Sequence, residues 1–343
     1  MTRRSFWARA ALTPSAIAYG LAVRLRNAWY DRDGAVKRAP LRVISVGNLA
    51  VGGTGKTPLV AWLARRLAAG GHVPAIVSRG YGGTAGTGPL VVSTGSGPRV
   101  NARTCGDEPH VLARSLRGVI VVVGSDRLEG ARAAAAAGAG AVILDDGFQH
   151  RRLARDLDIV VLDGRAPFDV GSVLPKGRLR ESPRALKRAQ VVVLTRLREN
   201  EPAQEAIAAV KAQGFRGTIV RAGHRRAGFR DAKGAECAAP SRAFAFCGIG
   251  DPDLFYADLE DAGILIAGFR TFRDHQPYTV AAWSQLSSHA AALHVPLVTT
   301  EKDLSRLEPV AGASLAGAPL IVMRIETVVW DEAALMTAVQ RAL

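Results

Sequence analysis

Residues Val46 to Pro58, VGNLAVGGTGKTP, place a glycine-rich turn and a Lys-Thr pair between a short β-type run (Leu41 to Val46) and a helical run (Lys56 to Ala69). Gly55-Lys56-Thr57 matches the closing part of a Walker A loop, G-x-x-x-x-G-K-[ST]. Such a loop works only between a strand and a helix, because successive backbone N–H groups and the positive end of the helix must converge on one set of phosphate oxygens. Gly52, Gly53 and Gly55, with Thr54 among them, let the backbone turn inward. Lys56 is then expected to reach the β/γ-phosphates of ATP, and the Thr57 hydroxyl to ligate Mg²⁺. The pattern departs at one position, where its first glycine falls on Ala50, with Gly47 three residues earlier.

Short apolar runs recur at Val73 to Val77, Val119 to Val123, Ala141 to Leu144, Ile159 to Leu162, Val191 to Leu194 and Thr218 to Val220. Helical stretches such as Arg127 to Ala137 lie between several of them. That alternation predicts an α/β fold: a P-loop NTPase-like, doubly wound parallel sheet covered on both faces. At 343 residues the chain exceeds what one core usually organises, so a second domain is expected. From Gly223 the sequence turns polar, reading as a linker or exposed hairpin. A second alternation follows: Ala243 to Cys247, Pro252 to Ala262, Gly268 to Phe272, Val280 to Leu293, Leu297 to Thr299 and Leu320 to Arg324. The expected division is a nucleotide-binding domain over 1–222 and a smaller α/β domain over 223–343.

The run Ala141 to Leu144 delivers Asp145 and Asp146 to the C-terminal end of a strand, the edge at which open α/β sheets hold ligands. Either carboxylate there has the chemistry to hold the nucleotide's Mg²⁺. A second acidic cluster, Cys105-Gly106-Asp107-Glu108-Pro109, offers Asp107 or Glu108 as acceptor of the proton of an attacking hydroxyl. His275, in Phe272-Arg273-Asp274-His275-Gln276-Pro277-Tyr278, sits between an acid and an aromatic residue. The turn Ser78 to Gly83 either binds substrate phosphate or is simply a loop. Arg127 and the run Lys176, Arg178, Arg180 with Glu181 are candidates for phosphate contacts, and TTEKD (Thr299 to Asp303) faintly resembles the base-reading NKxD element of GTPases.

Net charge enters where partners are concerned. A formal +15 favours an anionic partner, whether membrane headgroups, a phosphorylated substrate or nucleic acid. Five Trp and five Tyr with no aromatic-basic module argue against nucleic acid. The three cysteines are scattered, which excludes a disulfide framework or a four-thiolate zinc site and fits a reducing compartment. No run approaches the ~20 apolar residues of a spanning helix. The opening TRRSFWARAAL begins like a twin-arginine export signal, but Arg9 breaks its apolar region and Pro14 and Gly20 follow, so export is not expected. Ser15 to Tyr30 instead predicts an amphipathic helix with Ile17, Leu21, Leu25, Ala28 and Trp29 on one stripe. That stripe faces either lipid headgroups or the first domain.

The ordered series VGNLAVGGTGKTP, SRGYGG, GDEP, VILDDGFQH, LPKGRLRE, FRDHQPY and TTEKD, spanning about Val46 to Asp303, resembles the tetraacyldisaccharide 4'-kinase family of lipid A biosynthesis. The resemblance implies transfer of the ATP γ-phosphate to the 4'-hydroxyl of a tetraacylated glucosamine disaccharide 1-phosphate. It implies that Lys56 and Thr57 bind phosphate and Mg²⁺, that Asp145 and Asp146 form the Walker B site, and that Asp107 is the base assisted by His275. Arg127, Gln149, His150, Arg180 and Glu181 would line the nucleotide or substrate site. It also implies a peripheral enzyme at the cytoplasmic face of the inner membrane, with no obligate protein partner and no nucleic acid. Bringing His275 to Asp107 would require the domains to close over the nucleotide, excluding water. The rival expectation is a P-loop switch NTPase acting on a protein partner.

Overall fold

The computed structural model describes residues 12–32, 34–84, 86, 88–168, 171–199, 201–274, 276–311 and 319–343. The chain divides into two compact units, one of residues 1–223 with 327–343 and the other of residues 224–326. His275, a candidate site residue, lies outside the described residues.

In the first unit, helix α1 (Thr13–Tyr30) precedes strand β1 (Arg42–Asn48) and helix α2 (Lys56–Ala69). Then come β2 (Pro74–Ser78), β3 (Leu90–Thr94), α3 (Ala102–Cys105), α4 (Asp107–Ser115), β4 (Ile120–Val123), α5 (Arg127–Ala136), β5 (Ala141–Asp145) and β6 (Leu157–Asp163). A 3₁₀ turn (Pro183–Arg188), β7 (Val191–Leu197), α6 (Gln204–Ala212) and the start of β8 (Thr218–Asp231) complete the run. The strands stand in the order β7-β6-β1-β5-β2-β4-β3, and all neighbours are parallel except the antiparallel edge pair β3 and β4. β2, β4 and β5 are buried along their whole length. Continuous Val/Ile/Leu runs suit a sheet with helices on both faces. Ile44, Val46 and Ile143 pack with α2 on one face, while Val43, Val142 and Leu144 pack with α5 on the other.

The last residues of the chain return to this unit. In α10 (Glu332–Ala342), Leu335 and Val339 bury in the same layer as Trp62 and Leu63, and Glu332 pairs with Arg66 at 3.0 Å. Asp331 accepts hydrogen bonds from both the backbone and the guanidinium of Arg221. The expected second domain ran to residue 343; the apolar i, i+4 face of α10 instead covers the first unit.

The second unit holds β10 (Arg242–Cys247), α7 (Pro252–Glu260), β11 (Leu265–Thr271), α8 (Val280–Ala292), β12 (Leu297–Thr300), α9 (Glu301–Ala311) and most of β13 (Leu320–Val329). Its strands are parallel in the order β11-β10-β12-β13. Phe244, Phe246, Tyr278, Trp283 and Leu286 fill one face, and Ala243, Ala245, Phe255 and Leu259 the other. The polar stretch after Gly223 forms the far half of β8 and pairs back antiparallel with β9 (Glu236–Cys237).

Candidate functional site

The turn from β1 to α2 is built as its sequence requires. Gly55 caps α2 at φ 79°, and Gly52 stands at φ 114°, conformations in which a Cβ would be strained. Ala50 is accommodated where the pattern has its first glycine because the chain is still extended there. It bridges Leu179, with Val51 N–H donating to the Arg178 carbonyl and Arg180 N–H to the Leu49 carbonyl. Side chains then hold the turn from outside. Thr195 Oγ1 donates to the Thr54 carbonyl at 2.8 Å, Arg196 to the Gly53 carbonyl at 2.6 Å and Arg178 to the Val51 carbonyl at 2.9 Å. Asn48 Nδ2 donates to Thr54 Oγ1 at 3.0 Å. With the Val51, Gly53 and Thr54 carbonyls occupied, the N–H groups of the glycine-rich stretch are the part of the turn offered to an anion.

Parallel pairing sets Val46 opposite Asp145, so β5 ends beside the start of the turn. Lys56 Nζ lies 3.6 Å from Asp146 Oδ1, and Arg180 donates to Asp146 Oδ2 at 2.7 Å. Asp146 has φ 58°, a left-handed conformation that Asp tolerates better than most residues and that turns its carboxylate toward the two cations. Burial works to raise its pKa, but Lys56 and Arg180 outweigh burial and hold it below the usual carboxylate range. Asp145 behaves oppositely. Burial, reinforced by the carboxylates of Glu108 and Asp146, pushes it up to about 7 against the pull of Lys56 and Arg127.

The GDEP segment enters from α4. Glu108 Oε2 accepts from Thr57 Oγ1 at 3.4 Å, and Asp107 is the first residue of the helix; both carboxylates are exposed. Gly106 makes this approach possible: it has φ 92°, and a Cβ there would collide with the Tyr81 carbonyl oxygen. The SRGYGG turn is therefore the seat of the acidic segment.

The remaining candidates divide. Arg127 is buried and donates to the Gly124 carbonyl at 2.5 Å and to the Asp145 carbonyl at 3.5 Å. Gln149 donates to the Asn48 carbonyl at 2.9 Å and accepts from Arg180 at 3.4 Å. Burial, then the Arg127 guanidinium, pushes the His150 imidazole down to about 4, so it is neutral at pH 7. Its Nε2 is buried with no hydrogen-bond partner among the described residues. Glu181 stands apart from the turn: fully buried, it accepts from Arg188 at 3.0 Å and from Asn27 at 2.8 Å.

The family model for LpxK, tetraacyldisaccharide-1-P 4'-kinase, matches residues 8–343. The chain belongs to this family. It is similar to the tetraacyldisaccharide 4'-kinase of Chlorobaculum parvum, at 41% identity over 86% of this chain and 83% of that protein. It is likewise similar to that of Anaeromyxobacter dehalogenans, at 43% identity over 89% and 82%. Among solved structures, LpxK from Aquifex aeolicus in complex with ATP matches with a TM-score of 0.75 and 29% identity over 98% of this chain and 99% of that one.

In this LpxK family member the site fits a magnesium nucleotide. Thr57, Glu108 and Asp145 offer hard oxygen donors, and the crowding that raises Asp145 is the kind a dication relieves. Asp146 Oδ1 is buried without a hydrogen-bond partner among the described residues. No group of three or more acidic, His or Cys side chains forms a metal cage among those residues. Sequence reading left Glu108 only as an alternative base and passed over Asn48, Thr195 and Arg196. Thr195 and Arg196 carry one legible signal, their position at the end of an apolar strand run.

Proposed function

We propose that the chain transfers the γ-phosphoryl group of ATP to the 4'-hydroxyl of a tetraacylated glucosamine disaccharide 1-phosphate, at the cytoplasmic face of the inner membrane. Membership of the LpxK family makes it an ATP-dependent kinase of lipid A biosynthesis and disfavours the protein-directed switch. The observation that carries the reading is the convergence of the phosphate turn, Lys56, Arg180, Asp145, Asp146 and Glu108 at one sheet edge.

In this scheme the N–H groups of Gly52, Gly53, Thr54 and Gly55 hold the phosphates. Lys56 follows charge onto the leaving β–γ bridge, and Arg127 and Arg180 add positive charge. Bound through Thr57, Asp145 and Glu108, Mg²⁺ would neutralise phosphate charge. Asp146 orients Lys56 and Arg180 and, with Asp145, offers a carboxylate to the ion. Asp107 takes the proton of the 4'-hydroxyl, with His275 in support, as that oxygen bonds to the γ-phosphorus and the bond to the β–γ bridging oxygen of ADP breaks. Gln149 and His150 line the site, and Glu181 fixes the segment that presents Arg180. With γ-labelled ATP and detergent-dispersed disaccharide 1-phosphate, label is expected on the lipid. Label released only as inorganic phosphate, or found on protein, would overturn the reading.

Helix α1 supports the membrane part. Its polar residues dock on the unit: Tyr19 donates to the Arg180 carbonyl, Arg26 to the Gln149 carbonyl and Asn27 to Glu181. Its apolar stripe faces out, with Ile17 67%, Leu21 56%, Leu25 64% and Trp29 50% exposed. This is the reverse of a helix that packs on a core, and it suits shallow burial among acyl chains next to Arg-bearing flanks. No helix among the described residues is long and apolar enough to cross a membrane. Replacing Ile17, Leu21 and Leu25 with Ser together is expected to weaken binding to anionic phospholipid vesicles by more than about tenfold, with ATP affinity unchanged. Undiminished flotation with vesicles would refute the membrane role of this face.

A further inference from the structure

Arg180 is held by its backbone as well as by its side chain. Its N–H donates to the Leu49 carbonyl at 2.6 Å, at the entrance to the phosphate turn, and its carbonyl accepts from the Tyr19 hydroxyl of α1 at 3.1 Å. These bonds fix the peptide planes on both sides of the Arg180 Cα, and so the direction in which its side chain leaves the backbone. The guanidinium then meets Asp146 Oδ2 at 2.7 Å and Gln149 Oε1 at 3.4 Å. The next residue, Glu181, is buried and accepts from Asn27 Nδ2 of α1 at 2.8 Å and from Arg188 at 3.0 Å. Asn27 is itself anchored, its carbonyl accepting from Arg151 at 2.8 Å.

Packing alone does not seat α1 so exactly. Among its described residues the helix buries Ala16 alone, while Tyr19, Gly20, Val23, Asn27 and Tyr30 are half-buried on the same face. That face removes little apolar surface from water, so its polar contacts decide where the helix sits. Their end points are two successive residues, one of which presents a cation to the phosphate site. A helix needing only attachment has no reason to hold the backbone of Arg180.

We infer that Tyr19 and Asn27 are positioning residues through which α1 aims the Arg180 guanidinium for phosphoryl transfer. The inference rests on the reading above in which Arg180 adds positive charge at the transferred phosphate. Tyr19→Phe removes one hydroxyl and keeps the ring, and Asn27→Ala leaves Glu181 with its Arg188 donor, so neither strands a buried carboxylate. In the full chain, with γ-labelled ATP and detergent-dispersed disaccharide 1-phosphate, each is expected to lower kcat about fivefold and the pair about twentyfold, with KM for ATP within about twofold. Each effect should vanish on an Arg180→Ala background. Flotation with anionic phospholipid vesicles should stay unchanged, because the outer stripe is intact.

The inference is overturned by kcat within about twofold of wild type for both single variants, or by the same fold loss with and without the Arg180 guanidinium. A loss of rate matched by a loss of vesicle binding overturns it too, since α1 would then be an anchor alone. If Arg180→Ala lowers kcat and the α1 variants do not, the positioning role falls while the role of Arg180 stands. If Arg180→Ala itself has no effect, both fall.

Discussion

Lys56→Met is expected to lower kcat/KM for ATP by about 10²–10³-fold, the scale seen when one fixed electrostatic contact to a developing charge is removed. The ammonium is held ready for that task. It stands at the first residue of α2, 3.6 Å from Asp146 Oδ1, with its side chain 13% exposed. Because Asp146 also binds Arg180, the substitution strands no buried carboxylate, and the variant should fold. Lys56→Arg is not a rescue: a planar fork replaces a point charge at a site whose turn is already crowded by Arg178 and Arg196. The check is single-turnover transfer from γ-labelled ATP alongside nucleotide binding. Activity within tenfold of wild type would mean that the turn does not hold the transferred phosphates.

How much of this site could be read from the chain depends on whether each part is local. Lys56 and Thr57 are legible because turn, helix start and functional group fall within a dozen residues. Asp145 and Asp146 are legible because a buried strand run points to the sheet edge. Glu108 was ambiguous, since nothing in GDEP tells which carboxylate turns toward Thr57; that depends on the SRGYGG turn against which Gly106 packs. Arg178 and Arg196 reach the turn from distant segments, and no periodicity marks a guanidinium that ends on a carbonyl. TTEKD was not legible for the opposite reason: a short motif offered only a faint likeness to a base-reading element, without its Asn, while burial decides that Asp303 serves its own unit. The return of α10 to the first unit was likewise hidden, because a two-residue apolar face does not announce which sheet it covers.

Asp107→Asn is expected to reduce kcat by about 10²–10⁴-fold, the range for loss of a positioned general base, with ATP affinity changed by no more than about threefold. The two acidic residues of GDEP are separated by geometry. Both are exposed, but Glu108 lies against Thr57 Oγ1, on the phosphate side, whereas Asp107 precedes it by one residue, about 100° around the helix, and so points away from that contact. Removing a phosphate-side ligand and removing a base leave different signatures. Glu108→Gln should raise the Mg²⁺ concentration needed for half-maximal rate and recover rate as Mg²⁺ is increased, because a weakened ligand set is refilled by mass action. Asp107→Asn should not recover at any Mg²⁺ concentration, since the missing function is proton acceptance from the 4'-hydroxyl. If Glu108→Gln stays inactive at saturating Mg²⁺ while Asp107→Asn turns over normally, the assignments are exchanged, and the base is the carboxylate that touches Thr57.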